Sequence, residues 1–231
     1  MFNLLPSHQS WQDFPIILDR YIKNLAPDAV VVEIGGGANP SLTVDQVKGR
    51  QYIVIDIDEV ELDKAKGDHF VRVVADIARS ELSFKADFIF SKMLLEHVPN
   101  PQDFHKGIFD MLKNGGSVLH FYATLYNPAS IANLLMPEKL SKILLYCVQK
   151  RNWHTDGKFQ AYYRWSFGPT PKQIIRFESI GFKITYFNGY IGSRYLQQFT
   201  YIKHIENIYN KVISKINSPF FCSNAIIVLL K

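Results

Sequence analysis

The chain has 231 residues, enough for one full hydrophobic core, and its 47% apolar and 20% charged residues exclude a disordered or fibrous protein. Two widely separated cysteines, Cys147 and Cys222, exclude a disulfide framework and a zinc cluster, and no apolar run approaches the roughly 20 residues of a membrane span, so a reducing, cytoplasmic setting is expected. The net charge of +5 is uneven: up to Glu138 there are 12 Lys and Arg against 18 Asp and Glu, a balance of −6, and from Lys139 onward 14 against 3, a balance of +11. This predicts an acidic ligand-binding part and a basic part turned to an anionic partner or to solvent.

Met1–His8 lacks the basic and apolar regions of a secretory leader. Ser10-Trp11-Gln12-Asp13 carries a helix-start pattern, and Trp11, Phe14, Leu18, Tyr21, Ile22 and Leu25 then recur every three or four residues. The spacing predicts an amphipathic helix ending before Pro27. Ala29–Ile34 is a β-branched run that predicts a buried strand, cut off by Gly35-Gly36-Gly37-Ala38-Asn39-Pro40. Further buried strands are predicted at Tyr52–Asp56, Phe70–Asp76, Asp87–Ser91 and Val118–Ala123, with helices over Val60–Lys66 and Asp103–Lys113. Continuous apolar strands alternating with helices predict a doubly wound, mostly parallel α/β sheet covered on both faces.

The remainder reads differently. Residues 125–169 form a predicted helical cap inserted after the fifth strand. Pro171 follows Thr170 as a helix start, and Phe182–Tyr190 is strand-like. Tyr195–Ile216 reads as an added amphipathic helix within segment 193–217, and Ala225–Leu230 as a terminal strand. No repeat divides the chain, so 1–231 reads as a single domain.

Glu33-Ile34-Gly35-Gly36-Gly37 holds the first chemical signal. Glycines after a buried strand let the backbone turn tightly and approach a ligand closely. Asp56 stands about 20 residues on, at the end of the next strand, where a carboxylate can accept both hydroxyls of a ribose. Asp76 ends the third strand, within reach of an adenine amine. A dinucleotide loop would place glycine at position 40, where Pro40 instead removes a backbone N–H and obstructs a pyrophosphate. The pattern therefore suits a nucleoside cofactor without pyrophosphate and disfavours a nicotinamide enzyme. Glu33 suits a cationic amino-acid tail.

These residues resemble the class I S-adenosylmethionine-dependent methyltransferases. The resemblance covers residues 29–124 in order: Val32–Gly37, Val54-Ile55-Asp56, Ala75-Asp76-Ile77, Ala86–Ser91, Leu95-Glu96-His97-Val98 and Leu112–Gly116. It implies a Rossmann-like, seven-stranded sheet whose last strand is antiparallel. It also implies that Glu33, Gly35, Gly36 and Gly37 hold the methionine part of S-adenosylmethionine. By the same match Asp56, with Ile57 beside it, holds the ribose, Asp76 and Ile77 hold the adenine, and Ser91 lines the floor. Two departures stand out. Asn39 replaces a usual glycine and would need a left-handed turn, and Ser41–Gly49 is short for a crossover helix.

His97 follows the fourth predicted strand and is a candidate general base on an acceptor hydroxyl. Its competing reading is a pocket-lining or loop-orienting residue, because methyl transfer from a sulfonium is an in-line displacement that positioning can drive. Ser91-Lys92-Met93-Leu94 lacks the Pro-Pro-aromatic pattern of exocyclic base methylation. No cysteine is placed for attack on cytosine C5, so a nucleic-acid acceptor is disfavoured. In the cap, His154, Tyr162, Tyr163 and Arg164 interleave cations with aromatic faces and suit a small, anionic or sugar-containing acceptor. The helix ending at Ile216 carries Lys203, Lys211 and Lys215 and could contact a membrane surface peripherally, with core packing the competing reading. The expectation is methyl transfer, to oxygen, on a small-molecule, glycan or lipid-linked acceptor, with no metal. The alternative is a catalytically silent methyltransferase-like module.

Overall fold

The computed structural model describes residues 2–135, 160–192 and 203–231. His154 and the rest of the 136–159 segment, and the start of the helix expected from Tyr195, lie outside the described residues.

The centre of the sheet follows from strands that read as unbroken apolar runs. In chain order the elements are β1 (Phe2–Pro6), α1 (Ser10–Asn24), β2 (Val30–Ile34), α2 (Val44–Val47), β3 (Gln51–Asp56), α3 (Glu59–Asp63) and β4 (Val71–Val74). Then come β5 (Ala86–Lys92), α4 (Pro101–Met111), β6 (Leu112–Ala123), α5 (Pro128–Leu135), α6 (Pro171–Glu178), β7 (Lys183–Ile191), α7 (Lys203–Ile216) and β8 (Cys222–Leu230). The strands form one sheet in the order β1-β7-β8-β6-β5-β2-β3-β4. All neighbours are parallel except β8, which runs antiparallel to both β6 and β7.

Successive residues of a strand point to opposite faces, and both faces here are apolar. On one side Phe14, Leu18 and Ile22 of α1 pack on Val31, Val54, Phe88 and Phe90. On the other, Phe104 and Ile108 of α4 and Phe177 of α6 pack on Val32, Ile34, Ile55 and Ile89. Removing both faces from water explains why the strands carry almost no alternation.

Three expectations change. The sheet has eight described strands rather than seven, because Phe2–Pro6 adds to the free edge of β7, with Pro6 tolerated at an edge. Helix α4 begins at Pro101, a favoured first helical residue, and ends at Met111. Trp11, expected in the buried stripe of α1, is 53% exposed; it meets the sheet edge-on at Phe121, with ring centroids 5.1 Å apart, and under Lys92, whose Nζ lies 5.7 Å from its ring. The short crossover helix is present as expected: α2 has 4 residues, and Gln46 Oε1 accepts from the Thr43 N–H at 3.0 Å.

Candidate active site

The parallel strands end together at one edge, and the order reverses between β2 and β5, so the ligand crevice of such a sheet opens there. The loop Gly35–Gly37 leaves β2 at this point. The Gly35 N–H donates to the Ile55 carbonyl at 2.7 Å, which ties the loop to β3. Gly35 has φ +76°, and a Cβ there would lie 2.8 Å from the Leu94 side chain, so only glycine lets the turn nest against the segment after β5. Gly37 has φ +43°, and a Cβ there would stand 3.3 Å from Asp56 Oδ2. The glycine loop and the acid of β3, two sequence features 19 positions apart, therefore meet.

Asn39 is not among the left-handed residues. Its N–H donates to the Gly36 carbonyl at 3.0 Å, and Gly35 and Gly37 supply the turn.

Glu33 is 2% exposed and braces the loop from beneath. Its carboxylate accepts from Ser41 N at 2.8 Å, from Ser41 Oγ at 2.6 Å and from the Tyr52 hydroxyl. Burial raises its pKa, and the hydrogen bonds from Ser41 and Tyr52 and the charge of Lys92 oppose that rise. Asp56 Oδ1 accepts from the Asp58 N–H at 3.0 Å. Partial burial raises the Asp56 pKa, against hydrogen bonds from the backbone of Asp58, Gly37 and Ile57. Ile57 itself is 69% exposed beside the crevice.

Asp76 lies two residues beyond the end of β4. Its Oδ1 accepts from the Ala78 N–H at 3.0 Å, and its Oδ2 pairs with Arg79 Nε at 3.4 Å. Ile77 packs inward, and its carbonyl lies so near Gly107 of α4 that a Cβ there would be 2.1 Å away. Ser91 is fully buried, and its Oγ bonds His120 Nδ1 at 2.7 Å. His120 belongs to no sequence motif; its one signal is a histidine inside the apolar run Val118–Tyr122.

Past β5 the backbone is strained. Met93 has φ +53°, a conformation that bulky side chains rarely adopt, and its N–H donates to the Phe121 carbonyl at 2.6 Å. The 3₁₀ turn Leu95–His97 follows. A strap, residues 160–163, is pinned to this turn by three hydrogen bonds. The Tyr162 and Tyr163 amides donate to the Glu96 carbonyl at 2.7 and 3.0 Å, and His97 Nδ1 meets the Gln160 carbonyl at 2.9 Å. A carbonyl only accepts, so Nδ1 carries the proton and a neutral His97 has its lone pair on Nε2. Tyr163 also has a left-handed φ, +49°, and is buried. Tyr162 donates its hydroxyl to Gln160 Oε1 at 3.1 Å, and Arg164 is exposed. The structure thus brings Tyr162, Tyr163 and His97 together and turns Arg164 to solvent.

The residues present fit a nucleoside cofactor. A loop with no room for a Cβ at Gly35 or Gly36 stands against the Asp56 carboxylate, and a second acid, Asp76, follows just beyond the neighbouring strand β4. No group of three or more metal-ligating side chains occurs among the described residues.

Residues 11–163 match the methyltransferase domain family. The chain belongs to that family. By family and by fold it carries a class I S-adenosylmethionine-dependent methyltransferase domain. It is 27% identical over 124 residues to the tRNA 5-carboxymethoxyuridine methyltransferase of Escherichia coli, covering 48% of this chain and 46% of that protein. The chain thus spans about half the length of the curated relatives it matches. The structure of Haemonchus contortus phosphoethanolamine N-methyltransferase 2, solved with phosphomonomethylethanolamine and S-adenosylhomocysteine, aligns with TM-score 0.59 at 16% identity. That alignment covers 96% of this chain and 52% of the other. A methyltransferase from Archaeoglobus fulgidus aligns with TM-score 0.57 at 16% identity, covering 95% and 94%. At these identities the solved structures speak to the fold alone. The sequence Ser91-Lys92-Met93-Leu94 and the cysteine positions argue against two kinds of base chemistry, not against every nucleic-acid acceptor.

Proposed function

We propose that this methyltransferase transfers a methyl group to oxygen on a small-molecule or glycan-like acceptor held between the Gly35–Gly37 loop and the turn Leu95–His97. The observation that carries this reading is the tautomer of His97, fixed by the Gln160 carbonyl at 2.9 Å at the ligand edge of the sheet.

Bound S-adenosylmethionine supplies an electrophilic methyl group on a sulfonium. The chain's own residues supply placement. Asp56 accepts the ribose hydroxyls, Asp76 and Ile77 border the adenine, and Ile57 covers it from the exposed side. The backbone of Gly35–Gly37, braced by Glu33, borders the amino-acid end, and Ser91, fully buried on His120, supports the floor from beneath. His97 Nε2 accepts the proton that an acceptor hydroxyl releases as its oxygen attacks, and the imidazolium then gives that proton to solvent. Tyr162 and Tyr163 close the acceptor side by stacking and by excluding water.

The test uses S-adenosylmethionine labelled in its methyl group with a panel of hydroxyl, amine and tRNA acceptors. Transfer to a hydroxyl is expected. The His97→Ala variant should lose about 100-fold or more in kcat with cofactor affinity unchanged. Transfer confined to an amine or to tRNA rules out the acceptor assignment, and near-full activity of His97→Ala rules out the base.

A further inference from the structure

Helix α7 has more apolar surface than its own fold covers. Its inner side is conventional: Ile213 and Tyr209 pack against Ile191 and Cys222, at the carboxyl end of β7 and the start of β8. A second stripe faces outward. Ile205, Ile208, Val212 and Ile216 recur at three- and four-residue spacing and are 64%, 64%, 50% and 53% exposed. Side chains at this spacing share one helix face, and the stripe runs about 16 Å at 1.5 Å per residue. Single exposed aliphatics need no explanation, whereas four aligned ones mark an interaction surface.

The charges beside the stripe decide the partner. Lys211 and Lys215 stand three residues after Ile208 and Val212, on its border, and both are exposed. Glu206, the one acid of the helix, is 3% exposed and turned inward. The chain from Lys139 onward carries 14 Lys and Arg against 3 Asp and Glu. A dry protein interface would have to desolvate these lysines beside aliphatic groups. At a bilayer the aliphatics sink below the headgroups while the lysine stems bend outward to the phosphates. We propose that the outer face of α7 docks on an anionic lipid surface, with Ile205, Ile208, Val212 and Ile216 inserted and Lys211 and Lys215 paired with lipid headgroups. The face lies at the edge where the parallel strands end, so docking holds that edge near the membrane.

The experiment is co-sedimentation of the full chain with vesicles of phosphatidylcholine alone and of phosphatidylcholine mixed with phosphatidylserine. Binding to the mixed vesicles only, weakened by added salt, is expected. Ile208→Ser with Val212→Ser should cut the partition coefficient at least tenfold. Lys211→Gln with Lys215→Gln should cut it about 25-fold, roughly fivefold per lysine. All four residues are exposed, so melting temperature and S-adenosylmethionine affinity should stay at wild-type values in both variants. Failure of the wild type to sediment with the mixed vesicles overturns the proposal, as does undiminished binding by the aliphatic pair variant. A stable dimer in analytical ultracentrifugation that the aliphatic pair variant converts to monomer also overturns it, because a second copy then covers the face.

Discussion

Glu96 is a carboxyl group kept almost entirely from water, 3% exposed, with no partner for Oε2. Burial pushes its pKa up to about 8, against hydrogen bonds from its own N–H and that of Ala123. The folded state thus holds a proton that the unfolded state releases above its ordinary 4.5. The stabilisation is complete below that value and is lost as pH rises toward 8, by up to about 1.4 kcal/mol per pH unit. His105 works in the opposite sense. Burial lowers it to about 4, so the unfolded state takes up a proton first and stability falls as pH drops from about 6.5 toward 4. Urea unfolding should therefore show Glu96→Gln flattening the loss between pH 5 and 8 while leaving the acid limb in place. An unchanged alkaline slope in that variant would refute the buried, protonated carboxyl. At Gly36 an added Cβ would meet Val54 Cγ1 at 2.6 Å and Glu33 Cδ at 3.2 Å. Val54 is β-branched and fully buried and has little freedom to move aside. Gly36→Ala should cost about 1–3 kcal/mol by overpacking. Wild-type stability in a thermal melt would show that the loop can shift.

Helix α6 shows how a single cap fixes the segment that follows the strap. Thr170 Oγ1 accepts from the Gln173 N–H at 3.3 Å, and Gln173 Nε2 donates to the Trp165 carbonyl at 2.6 Å, tying the helix start to the segment that follows the strap. Thr170→Ala should cost about 1 kcal/mol, read as a lower urea midpoint with an unchanged slope; no shift would mean the cap is idle. Elements whose signal is local were legible in the sequence. Strands β2, β3 and β5 are continuous apolar runs, the glycine loop interrupts one of them, and Thr170-Pro171 marks a helix start. Elements defined by distant partners were not. Strand β1 exists through its pairing with β7, some 180 residues away, and its five residues carry no alternation. At the site, Gly35–Gly37 and Asp56 were readable because both end buried strands. The bond between Ser91 and His120 was not, because strand pairing sets it across 29 positions. The bracing of Glu33 by Tyr52 was hidden for the same reason: the tyrosine sits in a run that reads as plain core.

Across the whole molecule the charge asymmetry falls along the chain. The acidic part contains the loop, Asp56 and Asp76, and the basic part contains α7 and β8. A cationic sulfonium cofactor suits the acidic part, and the exposed lysines of α7 suit an anionic surface. Both meet the same edge of the sheet, because β8 sits between β6 and β7 and returns the chain antiparallel beside the site strands. The meeting of the glycine loop and Asp56 is the proposed seat of S-adenosylmethionine. Titration calorimetry of the wild-type chain and of Asp56→Ala tests it most directly. The wild type should bind one equivalent saturably. Asp56→Ala should bind about 10–100-fold more weakly, the loss of one or two hydrogen bonds to a charged group, with its fold intact by circular dichroism. Equal affinities in the two proteins, or no binding by the wild type, would contradict it.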